Sequence, residues 1–152
     1  MKLIKRGAEA VLYKTKHWKQ DALLKKRIPK KYRTAILDEK IRKQRTKQEA
    51  ILLHHAKKAT VRTPTLLKVD KKKHQLWMEW IPGKALKTVL GKQHANWCKA
   101  IGKKIALLHT AGIIHGDLTT SNIIVSGKEL VFVDFGLGFF SNKIEDRAVD
   151  LV

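Results

Sequence analysis

The feature that most limits how this chain can fold is the octapeptide His115-Gly116-Asp117-Leu118-Thr119-Thr120-Ser121-Asn122, followed shortly by Asp134-Phe135-Gly136. Between them, two short apolar segments, Asn122–Val125 and Leu130–Val133, meet at Ser126-Gly127 and read as one hairpin. The pattern is H-x-D-x-x-x-x-N and then D-F-G. Taken singly, Asp117 and Asn122 pass for turn residues and Asp134 for a strand end. Taken together, at this spacing and with an apolar strand before Asp134, they match what phosphoryl transfer requires. That reaction needs metal to neutralise phosphate charge and a carboxylate to orient the nucleophile. Asn122 and Asp134 offer the hard oxygen ligands that Mg²⁺ prefers. Asp117 can take a proton from an attacking hydroxyl or water, which makes it the catalytic candidate.

A site of this type also uses a strand Lys on the nucleotide phosphates and a helix Glu to hold it. Lys25 closes the apolar run Ala22–Lys25, and Glu49 is the only acidic residue between Lys40 and Val69. Lys25 is therefore expected on the phosphates of ATP, paired with Glu49, although Lys26 and Arg27 stand beside it. The phosphate-covering loop is degenerate. Gly7-Ala8-Glu9-Ala10 keeps a single glycine, and Glu9 brings negative charge close to it. Met78-Glu79-Trp80-Ile81 reads either as a buried strand or as a hinge whose backbone at Met78, Glu79 and Ile81 holds adenine.

The remaining pattern is α+β and two-lobed. Leu3-Ile4 and Ala10–Lys16 read as strands around the tight turn at Gly7–Ala10, and Ala22–Lys25 as a third, broken by Pro29. Ala35–Lys58 is helical in pattern, with Leu37, Ile41, Gln48, Leu52 and His55 as its stripe, and Thr63-Pro64 ends it. Leu66–Val69 and Gln75–Ile81 form a hairpin across Asp70–Lys73. A second helix spans about Ala95–Thr110, with Cys98, Ile101, Ile105 and Leu108 on one side and Gly112 as its stop. The lobes divide as 1–81 and 82–152, hinged near Trp80–Gly83.

Charge adds a partner. The 152 residues hold 33 Lys and Arg against 13 Asp and Glu, a net +20, and 11 of those cations fall within residues 25–47. Such a field draws polyanions, with RNA favoured, and Lys40, Lys43 and Lys47 form one exposed helical stripe. Aromatics in this region are few (Trp18, Tyr32), which argues against a base-stacking platform. No apolar run reaches the ~18 residues of a membrane span, and the start is too short and charged for a secretory signal. The single Cys98 suits a reducing, cytoplasmic setting, with the nucleus also open if the source is eukaryotic.

Several blocks together resemble one family. Gly7-Ala8-Glu9-Ala10, Lys25-x-Arg27-x-x-Lys30-x-Tyr32-Arg33, Leu37-Asp38-Glu39 and Arg45-Thr46-x-x-Glu49-Ala50 join the octapeptide and Asp134-Phe135-Gly136-Leu137-Gly138. They resemble the small atypical kinase of the KEOPS (EKC) complex, called PRPK in animals. The resemblance implies a minimal protein-kinase-like fold, with a small N-lobe of sheet plus helix and a reduced, mainly helical C-lobe. It implies ATP and Mg²⁺ as cofactors, and a part in making threonylcarbamoyladenosine on tRNA beside the metal-dependent transferase subunit and other KEOPS subunits. It implies ATPase action together with classification as a serine/threonine kinase. It carries the catalytic role to Asp117, metal to Asn122 and Asp134, phosphate binding to Lys25 and its pairing to Glu49. Gly116 stands where many kinases have Arg, and the short segment after Gly136 has no A-P-E sequence. The chain stops at Leu151-Val152, in what reads as the helix whose Asp150 braces the catalytic loop, so a truncated or unusually short member is expected. Two alternatives remain at this point: a kinase for small molecules or lipid sugars, and a catalytically idle RNA-binding scaffold.

Overall fold

The computed structural model describes residues 1–91 and 94–152, and it divides into two compact units. The first comprises Met1–Ala50 and Thr65–Trp80, the second Ile51–Pro64 and Ile81–Val152.

In the first unit, β1 (Lys2–Arg6), β2 (Ala10–His17), β3 (Gln20–Arg27), β4 (Leu66–Asp70) and β5 (Gln75–Glu79) form one antiparallel sheet in the order β1-β2-β3-β5-β4. The turn between β1 and β2 closes with the Gly7 N–H donating to the Ala10 carbonyl at 2.9 Å. β3 runs two residues further at each end than its apolar run suggests, because Gln20 pairs His17 and Arg27 pairs Ala10. β5 ends at Glu79, short of Ile81, since the Trp80 N–H turns to the Asp21 carbonyl. Side chains alternate across a strand. Leu23, Lys25 and Arg27 therefore share one face with Leu76 and Met78, while Ala22, Leu24 and Tyr13 share the other with Trp77.

Helix α1 (Ala35–Lys58) is rotated from its expected stripe. Leu37 is 49% exposed and His55 is exposed, whereas Asp38, Thr46, Glu49, Leu52, Leu53 and Ala56 are buried. One residue is 100° of a helix, so the inward face has moved by about that much. The cause is polar. Asp38 accepts from the Lys30 N–H (3.1 Å) and Arg42 Nε (2.6 Å), and Glu49 takes two cations from β3. Burial opposes ionisation of Asp38, but those donors outweigh it and hold the carboxyl below its usual range.

The second unit contains the end of α1, helix α2 (His94–Thr110), helix α3 (Ile144–Val149) and two small sheets. β6 (Lys84–Ala85), β8 (Ile123–Ser126) and β9 (Glu129–Phe132) form one sheet; β7 (Ile113–Ile114) and β10 (Phe139–Phe140) form the other. Leu52, Leu53, Leu86, Leu108, Ile113, Ile114, Ile123, Phe132 and Phe135 are its fully buried large apolar side chains. On α2, Leu108 is buried as expected but Cys98 is exposed. β8 and β9 are the hairpin read from sequence, with Ile123 opposite Phe132 and Ser126 opposite Glu129. Among the described residues no helix is long and apolar enough to cross a membrane.

Candidate active site

In the first unit, Lys25 and Arg27 stand two residues apart on β3 and so point the same way. Glu49 on α1 meets both. Lys25 Nζ donates to Glu49 Oε1 at 2.7 Å, and Arg27 Nη2 to Glu49 Oε2 at 2.6 Å. All three side chains are more than nine-tenths buried. The expected Lys25–Glu49 pair is present, and the structure adds Arg27 to it. Sequence reasoning placed Arg27 with the surface cations; the i, i+2 spacing from Lys25 was the signal for its inward position.

The loop Gly7–Ala10 is tied to the same block. Glu9 Oε2 accepts from Arg45 Nη1 at 2.9 Å, and Arg33 Nη2 lies 3.6 Å from Glu9 Oε1. Lys30 Nζ donates to the Ala8 carbonyl, and the Ile28 N–H to the Glu9 carbonyl. The negative charge of Glu9 is thus matched by arginines. This corrects the reading of residues 25–47 as one polyanion-facing surface. Arg27, Arg33, Arg42 and Arg45 hold Glu49, Glu9 and Asp38, and of the eleven cations in that block Lys26, Lys31, Lys40, Lys43 and Lys47 are the exposed ones. Met78 is buried, and Glu79 exchanges hydrogen bonds with Thr65 through both its backbone N–H (2.8 Å) and its carboxylate (3.0 Å). Ile81 is buried in the second unit.

That second unit holds the loop chemistry. Asn122 Nδ2 donates to the Asp117 carbonyl (2.8 Å) and to Asp117 Oδ2 (2.9 Å). Its amide nitrogen is thereby committed, which leaves Oδ1 as the atom able to face a cation. Asp134 follows β9 and sits at φ 63°, a left-handed conformation uncommon outside glycine, with Oδ1 accepting from the Gly136 N–H at 3.3 Å. The Val133 N–H donates to the Asn122 carbonyl, joining the two loops at the base of the hairpin. His115 is fully buried, and burial pushes its imidazole below the ordinary value. As the neutral ring it donates from Nε2 to the Val133 carbonyl (3.1 Å) and accepts the Asp117 N–H at Nδ1 (3.3 Å).

Asp150 lies beneath this loop. It accepts the N–H of His115 and of Gly116, each at 2.8 Å, and contacts His109 Nε2 at 3.0 Å. The His109 contact was invisible in the sequence, since 41 residues separate the partners. Gly116 has φ 78°, and a Cβ there would stand 2.4 Å from the Leu137 carbonyl oxygen. Packing alone therefore excludes an arginine at this position. Among the described residues no three His, Cys, Asp or Glu side chains gather into a metal cage. A Mg²⁺ ion held by Asn122 and Asp134 would need phosphate oxygens to complete its shell, and that donor set suits a metal arriving with a nucleotide.

A model of the RIO domain matches residues 5–138. The chain is 42% identical to the KEOPS complex subunit Bud32 of Pyrococcus abyssi, covering 99% of this chain and 73% of that protein. It is 50% identical to a probable bifunctional tRNA threonylcarbamoyladenosine biosynthesis protein of Methanobrevibacter smithii, but it spans only 27% of that longer protein. The crystal structure of the Rio2 kinase–ADP/Mg²⁺–phosphoaspartate complex from Chaetomium thermophilum superposes with a TM-score of 0.83, at 14% identity, over 99% of this chain and 53% of that one. The fold is thus that of a RIO-type atypical kinase domain, the kinase-like α+β fold that the resemblance implied. By the matched domain and by its identity to the Pyrococcus protein, the chain belongs to the RIO-domain family, on the branch of the Bud32 proteins.

Proposed function

We propose that this chain binds ATP with Mg²⁺ and cleaves or transfers the γ-phosphate, as an atypical serine/threonine kinase and ATPase. We place it in a KEOPS-type assembly, with the transferase subunit as its direct partner and tRNA as the molecule modified. The observation that carries the catalytic reading is the pairing of Asp117 with Asn122, beside an Asp134 held in a strained backbone conformation. Strain of this kind persists where surrounding structure enforces it, and it clusters at functional sites. The names carried by the relatives support the assembly and tRNA reading.

In this reading each residue has a role. Asp117 orients the attacking hydroxyl or water and takes its proton. Asn122 Oδ1 and the Asp134 carboxylate hold the metal, which neutralises phosphate charge. Lys25, fixed by Glu49, meets the nucleotide phosphates, with the backbone of Gly7, Ala8, Glu9 and Ala10 alongside. Met78, Glu79 and Ile81 supply the adenine hinge, and residues 1–81 and 82–152 are the functional lobes. The exposed Lys40, Lys43 and Lys47 face the tRNA phosphates, in the cytoplasm.

The test is Mg²⁺-dependent ATP hydrolysis with and without the transferase subunit. Asp117→Asn should lower turnover by about 10²–10⁴-fold, the usual loss for a general base. It should spare nucleotide binding more than Asp134→Asn does. Near-normal turnover of Asp117→Asn with the partner present would refute the assignment.

A further inference from the structure

We propose that the tip of the β2–β3 hairpin binds an unpaired nucleobase of an RNA strand. The choice of RNA rests on the tRNA reading above; the stacking chemistry stands without it. His17 pairs Gln20, so Trp18-Lys19 is a two-residue turn. Trp18 occupies φ 57° and is 90% exposed. Hairpin turns of this length favour Gly, Asn or Asp where φ is positive. A bulky residue there is a steric outlier, and a fully exposed indole loses the benefit of burying its large apolar surface. Neither fold nor solubility accounts for a tryptophan at this point.

Its surroundings suit a flat, negatively flanked ligand. The His17 ring lies 5.4 Å from Trp77 and 6.4 Å from Trp18, edge-on to the latter at 71°. His17, Trp18, Lys19, Gln20 and Leu67 line an open recess of about 740 Å³, large enough for a nucleotide. Trp77 stands opposite Leu24 and Lys68 in register, on the sheet face that also carries Tyr13. Lys16, Lys19 and Lys68 are exposed, while the nearby Asp21 is tied to Lys14 at 2.8 Å. Aromatic rings on a sheet face with lysines around them are how single strands are held: bases stack on the rings and phosphates meet the cations. A greasy peptide fits less well, since Leu67 is the one aliphatic side chain in the lining. Duplex RNA fits less well again, because its bases are already stacked. The proposal departs from the expectation drawn from sparse aromatics because Trp77 arrives from β5, far along the chain.

The experiment uses the full chain and a fluorescein-labelled single-stranded uridine octamer, with a blunt RNA duplex and a thymidine octamer as comparison arms. Trp18→Asn should weaken octamer binding by about 5- to 100-fold, the usual range for losing one stacking aromatic. It should leave duplex binding unchanged and should not lower the melting temperature, because Asn accepts the left-handed turn. Trp18→Phe should keep most of the affinity, and Lys19→Gln should reduce the salt slope by about 0.7. Wild-type affinity of Trp18→Asn for the octamer overturns the proposal. So does a Trp18→Asn variant that keeps RNA but loses the transferase subunit, which would make the tip a protein contact. Tighter binding of the thymidine octamer than of the uridine one overturns the choice of RNA. ATP hydrolysis, measured in parallel, should be equal in wild type and Trp18→Asn. An inactive wild type that still loses octamer binding through Trp18→Asn supports this site while counting against the ATPase reading.

Discussion

Replacing Glu49 with alanine should unfold much of the stability of this chain, not merely misplace Lys25. Glu49 neutralises two buried cations through contacts of 2.7 and 2.6 Å. Removing one partner of a buried ion pair typically costs about 3–5 kcal/mol, because the remaining charge is stranded away from water. Here Arg27, buried and bonded to Glu49 at 2.6 Å, loses its carboxylate, so that range applies. Natural domains hold only about 5–15 kcal/mol in total. For a chain of this length each kcal/mol moves the midpoint by roughly 2–4 °C, so Glu49→Ala should melt about 6–20 °C lower. The assay is denaturant unfolding of wild type, Glu49→Ala, Arg27→Met and the double variant. In the Glu49→Ala background, Arg27→Met removes a stranded cation and should restore stability, although in the wild-type background it destabilises. That sign reversal is a coupling that additive effects cannot produce. A Glu49→Ala loss under about 1 kcal/mol, or a double variant no better than the single, would refute the charge-neutralisation argument.

Two further outcomes follow from the second unit and the β4–β5 turn. Gly116→Ala should destabilise by about 2–4 kcal/mol, since a Cβ would meet the Leu137 carbonyl oxygen at 2.4 Å with φ already at 78°; an unchanged denaturation midpoint would show that the loop can shift freely. Burial holds His115 and His74 below the ordinary imidazole value of 6.5. Each takes up its proton less readily in the native chain than in the unfolded one, so their stabilisation is complete above pH 6.5 and is lost as the pH falls below it. Melting temperatures measured from pH 7.5 to 5 should decline, and His74→Gln should flatten part of that decline; a flat wild-type profile would count against it.

Much of the candidate site was readable in one dimension because its parts are local. Asp117 and Asn122 share one loop, and a single short hairpin carries the chain to Asp134, so spacing alone constrains their geometry. The Lys25–Glu49 pair was also legible, since Glu49 is the only acidic residue between Lys40 and Val69 that a cation at the end of β3 could meet. Strand ends shifted by one or two residues, as at β3 and β5, where individual backbone N–H groups found partners that composition does not announce.

What the sequence determined by itself was therefore the local grouping of the candidate residues and the order of elements, because motif spacing and periodicity are local properties of the chain. What only the tertiary structure decided was where the charges go. The dense block at 25–47 reads as a surface that draws polyanions, yet its arginines are spent on Glu9, Asp38 and Glu49. Helix α1 turned a polar face inward to receive them, against its own apolar stripe. Asp150, already expected under the catalytic loop, also reached His109 from 41 residues away, and Trp77 joined His17 at the hairpin tip. Coulombic attraction and ring contact act through space, between side chains whose separation along the chain says nothing of their distance, so beyond Lys25 and Glu49 only the folded arrangement could show which cation found which carboxylate.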